Sequence, residues 1–186
     1  MAYTPFDRFV AWCRFRAAAP HIRDGSVVCD LGCGAGAPFL NYVKSRIVSG
    51  VGLDEHIGQS PQDKISIVRA DITASLPMES AQFDHVTMLA VLEHLAQPAS
   101  VLAEAYRILR PQGSLIMTWP SSAVDPILEV LTRLELVNNE LGFEQHQPRI
   151  PLEKLQNMLR GIGFTRFETG TFELGLNNWL VAHKEL

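Results

Sequence analysis

Val-Val-Cys-Asp-Leu-Gly-Cys-Gly-Ala-Gly occupies residues 27–36 and leads from an apolar run into a glycine-rich turn. The apolar run is typical of a buried strand, and Asp30 lies near its end. Glycine has no Cβ and adopts positive φ at little cost, so Gly32 and Gly34 let the backbone approach a ligand closely. Such a turn indicates a nucleotide-like cofactor, but it also occurs in dinucleotide sites, and the choice depends on the rest of the chain.

The composition predicts a single globular domain over residues 1–186. The chain is 47% hydrophobic and 19% charged, which fits a folded protein with a sizeable core and argues against disorder. Its formal net charge is −4, and no run of Lys or Arg forms the basic stripe of a nucleic-acid-binding surface. We therefore expect a small-molecule partner and no nucleic acid.

The cysteines and the apolar segments favour a cytoplasmic protein. Cys13, Cys29 and Cys33 show no paired spacing, so neither a disulfide framework nor a zinc site is expected. Free cysteines are typical of a reducing compartment. The longest apolar run, at residues 86–92, is too short to span a bilayer. The sequence therefore predicts no membrane partner and no metal.

Apolar strands and helices alternate along most of the chain. An amphipathic helix is expected at residues 4–19. Its apolar face comprises Phe6, Phe9, Val10, Cys13 and Ala17. Strands are expected at residues 26–31, 47–53, 65–69, 84–89 and 114–119, and helices are expected to begin at Pro38 and Pro98. This alternation predicts a mostly parallel sheet covered by helices on both faces.

The regular alternation of strands and helices ends after residue 120. Helices are expected at residues 125–137 and 151–159, and strands at 164–172 and 178–184. The last two strands are predicted to form an antiparallel hairpin at the edge of the sheet. Residues 1–25 are expected to form an N-terminal helical cap, and residues 121–150 a cap on the substrate side.

Three aspartates follow successive strands of the predicted sheet. Asp30, Asp54 and Asp71 each lie at or just beyond the end of a strand. Ligands of such sheets bind outside the carboxyl ends of the strands, so the three acids are expected on the ligand-binding edge. The link at residues 55–64 contains Gly58 and Pro61 and is expected to be too short for a full helix.

Six short motifs in this order resemble the class I S-adenosylmethionine-dependent methyltransferases. They are Asp30-Leu31-Gly32-Cys33-Gly34-Ala35-Gly36, Gly52-Leu53-Asp54, Ala70-Asp71-Ile72, Phe83-Asp84-His85-Val86, Val91-Leu92-Glu93-His94-Leu95 and Ile108-Leu109-Arg110-Pro111-Gln112-Gly113. The resemblance covers residues 26–184 and implies a Rossmann-like, seven-stranded α/β sheet with an antiparallel C-terminal strand. It also implies S-adenosylmethionine as cofactor and S-adenosylhomocysteine as product.

The resemblance assigns cofactor contacts to matching positions. The backbone of Gly32, Cys33 and Gly34 would line the methionine part, and Asp30 would hold this loop. Asp54 would accept hydrogen bonds from both ribose hydroxyls, because a carboxylate has two acceptor oxygens and no donor.

The same family implies contacts for the adenine and for the amino group. Asp71 would accept from the adenine amino group, and the Ile72 backbone N–H would meet a ring nitrogen. Glu55, the residue after Asp54, is also expected to contact the cofactor. Leu89 would offer its carbonyl near the amino group of the cofactor.

Three alternatives remain open, and one of them keeps the methyl transfer but changes the acceptor to RNA or protein, although the missing basic stripe disfavours RNA. Ala37 can complete a GxGxxA turn and Asp54 lies where a ribose-binding acid belongs, so an NAD-dependent oxidoreductase is the second alternative. The Asp71-Ile72 pair and the terminal hairpin favour the methyltransferase. The third alternative is a methyltransferase-like module that binds the cofactor without catalysis.

The candidate catalytic and acceptor residues follow the fourth and fifth strands. His94 is the first candidate for a general base, needed only if the acceptor must lose a proton, and His146 is the second. Glu93, Trp119 and Arg149 are candidate contacts for a small-molecule acceptor. Each also has a plain structural interpretation: a helix cap for Glu93, packing for His94 and Trp119, and a solvated loop for His146 and Arg149.

Overall fold

A computed structural model describes residues 5–56, 63–122 and 150–186 of the chain. The helix expected at residues 125–137 and most of the expected cap at 121–150 lie outside the described residues. So does most of the predicted link at residues 55–64.

Seven strands form one sheet in the order β3-β2-β1-β4-β5-β7-β6. The strands are β1 Val27–Leu31, β2 Ser49–Asp54, β3 Ile65–Arg69, β4 Phe83–Leu89, β5 Leu109–Pro120, β6 Arg166–Phe172 and β7 Asn177–His183. The pairs among β1 to β5 are parallel, and β7 runs antiparallel to both β5 and β6. The predicted fold class, with its antiparallel C-terminal strand, is confirmed.

The fifth strand is longer than the sequence pattern indicates. It begins at Leu109, directly after a helix, whereas the apolar run predicts a start near Ser114. Arg110-Pro111-Gln112-Gly113 does end the helix, but the chain continues as an irregular extended segment. Gln112 adopts a φ of 63°, and the register between β4 and β5 shifts between Phe83 and His85.

Four helices of the described chain cover the two faces of the sheet. They are α1 Pro5–Ala18, α2 Pro38–Val43, α3 Pro98–Ile108 and α4 Leu152–Ile162. Side chains of a strand alternate between the faces. Val28 therefore packs with residues of α1 and α2, while its neighbour Cys29 packs with residues of α3 and α4.

The predicted apolar face of α1 is only partly buried, because Phe9 is exposed while Val10, Cys13 and Ala17 are half-buried. Phe9 and Trp12 are 56% and 43% exposed, whereas Ala18 is fully buried. The helix packs firmly on the core at its C-terminal end, where Phe15 lies 5.5 Å from Phe39 between ring centroids. Apolar periodicity could not reveal this, because the N-terminal turns of α1 have little of the core beneath them.

Candidate functional site

The glycine-rich turn after β1 needs glycine for its backbone conformation. Gly32, Gly34 and Gly36 have φ values of 71°, 68° and 88°, in the left-handed region. The Gly32 N–H donates to the Leu53 carbonyl at 2.8 Å, which ties the turn to the end of β2. A Cβ at Gly32 would lie 2.6 Å from a Val91 methyl carbon. Conformation and space therefore both require glycine at position 32.

Asp54 is held at the end of β2 by two backbone donors. Its Oδ2 accepts from the Gly34 N–H at 2.8 Å, and its Oδ1 accepts from the His56 N–H at 2.8 Å. The side chain is 17% exposed. Because a carboxylate can accept about four hydrogen bonds, lone pairs remain on both oxygens for a ligand. Asp54 is thus an oriented acceptor that also braces the glycine-rich turn.

Asp30 is buried beneath the same turn. The Thr87 hydroxyl on β4 donates to Asp30 Oδ1 at 2.5 Å, and both side chains are almost inaccessible. Burial raises the pKa of Asp30 to about 7, while the bond from Thr87 acts in the opposite direction and nearby Asp54 adds to the rise. The protonated and the ionised forms of Asp30 are therefore close in free energy near neutral pH.

This raised pKa predicts a pH dependence of stability. The folded state binds the Asp30 proton more tightly than an ordinary Asp of pKa 3.8, so the contribution of Asp30 to the free energy of unfolding falls from about pH 4 to about pH 7. We expect the stability of Asp30→Asn to gain on that of the wild type over this range, as measured by urea denaturation. Thr87→Val removes a hydrogen bond that lowers the pKa of Asp30, so it should extend the fall of the wild-type protein to higher pH. A stability difference between Asp30→Asn and wild type that is constant with pH would contradict the expectation.

Cys33 points its side chain into the protein. The thiol is buried, and burial raises the pKa of Cys33 to about 12. A Cβ at Gly52 on β2 would lie 2.5 Å from Cys33 Sγ, so the absence of a side chain at Gly52 makes room for the sulfur. Only the backbone of Cys33 can line a ligand site in this arrangement.

The residues expected at the adenine lie beyond the end of β3. Asp71 is exposed, and hydrogen bonds from the Thr73 side chain and N–H to its Oδ1 hold the pKa of Asp71 below its usual value. Ile72 is half-buried against the core. The Glu55 carbonyl accepts from Arg69 Nε at 3.0 Å, and its side chain is exposed. Leu89, the last residue of β4, is half-buried.

Glu93 and Trp119 line one cavity of about 250 Å³. It lies between the ends of β4 and β5 and helix α4, which adds Lys154 and Met158 to its lining. Trp119 is only 4% exposed and also belongs to the core. Its position therefore fits both an acceptor contact and a packing role. Sequence reasoning missed Lys154, because an exposed lysine on an amphipathic helix carries no signal until the fold brings α4 to this edge.

His94 ends a 3₁₀ turn, Leu92–His94, directly after β4. Partial burial lowers the pKa of His94 below its usual value, and the positive charge of Arg14 on α1 lowers it further. A neutral imidazole at neutral pH can accept a proton. His146 and Arg149 lie outside the described residues.

The described residues offer neither a membrane-spanning helix nor a metal-binding cluster. No helix in the described ranges is long and apolar enough to cross a membrane. Within the same ranges, no group of three His, Cys, Asp or Glu side chains could hold a metal ion.

The fold and the site define a doubly wound α/β domain with a nucleoside-cofactor site at the carboxyl ends of its strands. A glycine-rich turn with open space beside Gly36, next to the oriented carboxylate of Asp54, fits S-adenosylmethionine, whose ribose offers two hydroxyl donors. The methyltransferase domain family matches residues 6–168, and the chain belongs to this family. It is a class I S-adenosylmethionine-dependent methyltransferase domain, and its cofactor is S-adenosylmethionine.

Two individual relatives each match part of the chain. An uncharacterised 37.1 kDa protein of a Streptomyces fradiae transposon is 36% identical over 121 residues, covering 58% of this chain and 35% of that protein. The ubiquinone biosynthesis O-methyltransferase of Pseudomonas paraeruginosa is 31% identical over 105 residues, covering 50% of this chain and 44% of that enzyme. The chain thus spans less than half the length of these two relatives.

A solved structure shows the same fold. The S-adenosylmethionine-dependent methyltransferase of Mesorhizobium loti aligns with a TM-score of 0.71 at 18% identity, covering 93% of this chain and 97% of that one.

Proposed function

We propose that this domain transfers the methyl group of S-adenosylmethionine to a small-molecule acceptor. The observation that carries the acceptor class is the cavity beside Glu93 and Trp119, whose volume of about 250 Å³ suits a small molecule. The net charge of −4 gives no general attraction for nucleic acid. The ubiquinone biosynthesis O-methyltransferases among the relatives offer a precedent for such an acceptor.

The proposed cofactor contacts follow from the hydrogen-bond acceptors at the carboxyl ends of the strands. When bound, S-adenosylmethionine supplies a methyl group activated by its sulfonium. Asp54 would accept from both ribose hydroxyls with the lone pairs that Gly34 and His56 leave open. Asp30 would fix the turn from beneath. The remaining contacts would come from Gly32, Cys33, Glu55, Asp71, Ile72 and Leu89.

The acceptor side of the proposed site includes the cavity and the segments proposed to cap it. Glu93 and Trp119 would hold the acceptor, and residues 1–25 and 121–150 would cap it, with Arg149 and His146 as further candidates. Alignment of the nucleophile with the methyl group is the main contribution that such a protein can make. Holding two reactants in line lowers a barrier by about 7–11 kcal/mol.

His94 is the proposed general base for acceptors that must lose a proton. We expect His94→Ala to lower turnover by about 10²-fold or more, while the affinity for S-adenosylhomocysteine changes little. The lowered pKa of His94 predicts that activity persists at more acidic pH than an ordinary histidine would allow. The measurement is the pH profile of kcat for wild type and His94→Ala. Unchanged turnover of the variant would remove His94 from the chemistry.

The proposed function is tested first by ligand binding. Thermal unfolding is compared with S-adenosylmethionine, S-adenosylhomocysteine and NADH, each at about 100 times its dissociation constant. Such an excess stabilises a binding protein by about 2.7 kcal/mol, and each kcal/mol raises the midpoint of a domain of this size by roughly 2–4 °C. A rise with the first two ligands, followed by methyl transfer in a screen of small-molecule acceptors, supports the proposal. Binding without transfer to any acceptor would favour a non-catalytic module.

The cytoplasm is the proposed location. Cys13, Cys29 and Cys33 are all free thiols, and two of them are buried in the core. Free thiols persist in a reducing compartment.

A further inference from the structure

The cavity between the ends of β4 and β5 and helix α4 has mostly apolar walls. Its apolar lining includes Leu95, Trp119 and Met158, and only Glu93 and Lys154 among the described lining residues carry a charge. Its volume of about 250 Å³ lies just below the roughly 300–1,000 Å³ that is usual for small-molecule sites. The cavity therefore suits a compact ligand that is largely apolar and charged or polar at one end.

Lys154 lies on the side of α4 that faces this cavity. Residues four apart share one side of a helix, so Lys154 is in line with Met158 and with Ile150 just before the helix, and all three line the cavity. Ile150 and Met158 are half-buried and pack against the core, whereas Lys154 is exposed. A charged side chain thus interrupts an otherwise apolar stripe where the cavity meets the solvent.

Lys154 is the only lysine of the chain that makes no hydrogen bond or ion pair with a described residue. The Lys64 Nζ donates to a backbone carbonyl at 2.6 Å, the Lys184 Nζ donates to two carbonyls at 2.8 and 2.7 Å, and Lys44 pairs with a carboxylate at 3.6 Å. Glu93, the other charged residue of the lining, has interactions of its own. Lys154 is therefore the charged group of the cavity that is left for a ligand.

A lysine beside apolar walls favours one kind of ligand. The ammonium is a compact point charge on a flexible stem, so it can follow an oxyanion of the ligand. Apolar walls lower the local dielectric constant, so the attraction is stronger than on an open surface. A ligand with an apolar ring and a carboxylate or phosphate would satisfy both parts of the cavity, whereas a cationic ligand would be repelled.

We propose that the cavity takes acceptors that combine an apolar ring or chain with an oxyanion, and that Lys154 holds the oxyanion. The apolar part would lie against Trp119 and Met158, and the oxyanion would lie on the solvent side. This inference rests on the proposed function and narrows its acceptor from small molecules in general to acidic ones. Lys154 then determines acceptor specificity and leaves the proposed cofactor contacts unchanged.

The test compares ring compounds that differ in charge as ligands of the complex with S-adenosylhomocysteine. Benzoate, phenyl phosphate, benzyl alcohol and benzylamine are titrated into wild type, Lys154→Gln, Lys154→Glu and the control Lys44→Gln, each saturated with S-adenosylhomocysteine. We expect wild type and Lys44→Gln to bind benzoate or phenyl phosphate about five- to tenfold more tightly than benzyl alcohol. The tighter of the two anions identifies the oxyanion. Lys154→Gln should lose this preference, and Lys154→Glu should favour benzylamine.

A stability measurement separates binding from a structural role. Lys154 is exposed, so the ligand-free midpoints of both Lys154 variants should stay within about 2 °C of the wild type. A larger fall would indicate a structural role and count against the inference.

Several binding results would overturn the inference while the proposed function stands. They are equal affinity of the wild type for the anionic and the neutral rings, no measurable binding of any ring, and an anion preference that survives in Lys154→Gln. The affinity of the wild type for S-adenosylhomocysteine is measured first. If the wild type does not bind S-adenosylhomocysteine, the proposed function fails and the inference fails with it.

Discussion

Asp54→Asn is expected to lower the affinity for S-adenosylhomocysteine by about 100-fold or more. Two hydrogen bonds from ribose to a charged acceptor are each worth about 1.5–3 kcal/mol, and 1.4 kcal/mol is a tenfold change in affinity. Asparagine keeps one acceptor oxygen, so its amide nitrogen must face either the Gly34 N–H or the His56 N–H, and one of these two hydrogen bonds is lost. The local support of the glycine-rich turn therefore weakens together with the ligand contact. The measurement is calorimetric titration.

The matched control for this variant is Asp63→Asn. Asp63 has a 75% exposed side chain and pairs with Lys44 at 3.6 Å. An exposed ion pair contributes little, about 0–1 kcal/mol. Affinity and stability should therefore stay near the wild-type values. An Asp54→Asn protein that binds S-adenosylhomocysteine within threefold of this control would contradict the ribose role.

Gly52→Ala is expected to destabilise the domain and to weaken cofactor binding together. The added methyl carbon would lie 2.5 Å from Cys33 Sγ and 3.3 Å from Ala37 Cβ. Relieving such an overlap costs about 1–3 kcal/mol, and the displaced atoms belong to the glycine-rich turn. The midpoint of thermal unfolding should fall by roughly 2–4 °C for each kcal/mol lost. Titration with S-adenosylhomocysteine measures the accompanying loss of affinity.

A double-mutant cycle identifies the cause of this loss. Cys33→Ala removes the sulfur but keeps the Cβ at 3.0 Å, so Gly52→Ala in the Cys33→Ala background should cost less than in the wild type. Gly161→Ala is the control, because a Cβ there would meet no atom within 4 Å. In a helix this change is expected to be neutral or slightly stabilising. Additive effects of Gly52→Ala and Cys33→Ala would show that the sulfur is not what opposes the methyl group.

The sheet could be predicted from sequence because its signals are local. Apolar runs ending in Asp30, Asp54 and Asp71 mark parallel strands whose carboxyl ends share one edge. The seven strands and the antiparallel C-terminal strand followed from the resemblance to the methyltransferases, whereas the order of the strands came from the structure. The boundaries of β5 were less accurate, because a backbone that continues as a strand through Pro111 and Gln112 has no apolar pattern.

The site could be predicted only in part, because several of its contacts are distant in sequence. Nothing near Asp54 indicates that Gly34, twenty positions earlier, donates to it. Thr87 contacts Asp30 across two adjacent strands, and Lys154 joins Glu93 only through the packing of α4.

The orientation of Cys33 has a chemical consequence for a protein that handles an alkylating agent. A sulfonium methyl donor reacts with thiolates, and the thiolate rather than the thiol is the nucleophile. Cys33 belongs to the turn proposed to line this donor, yet its sulfur faces Gly52, and burial raises its pKa to about 12. At physiological pH the group stays protonated and turned away. The turn can therefore carry a sulfur next to the methyl donor without becoming a target of self-methylation.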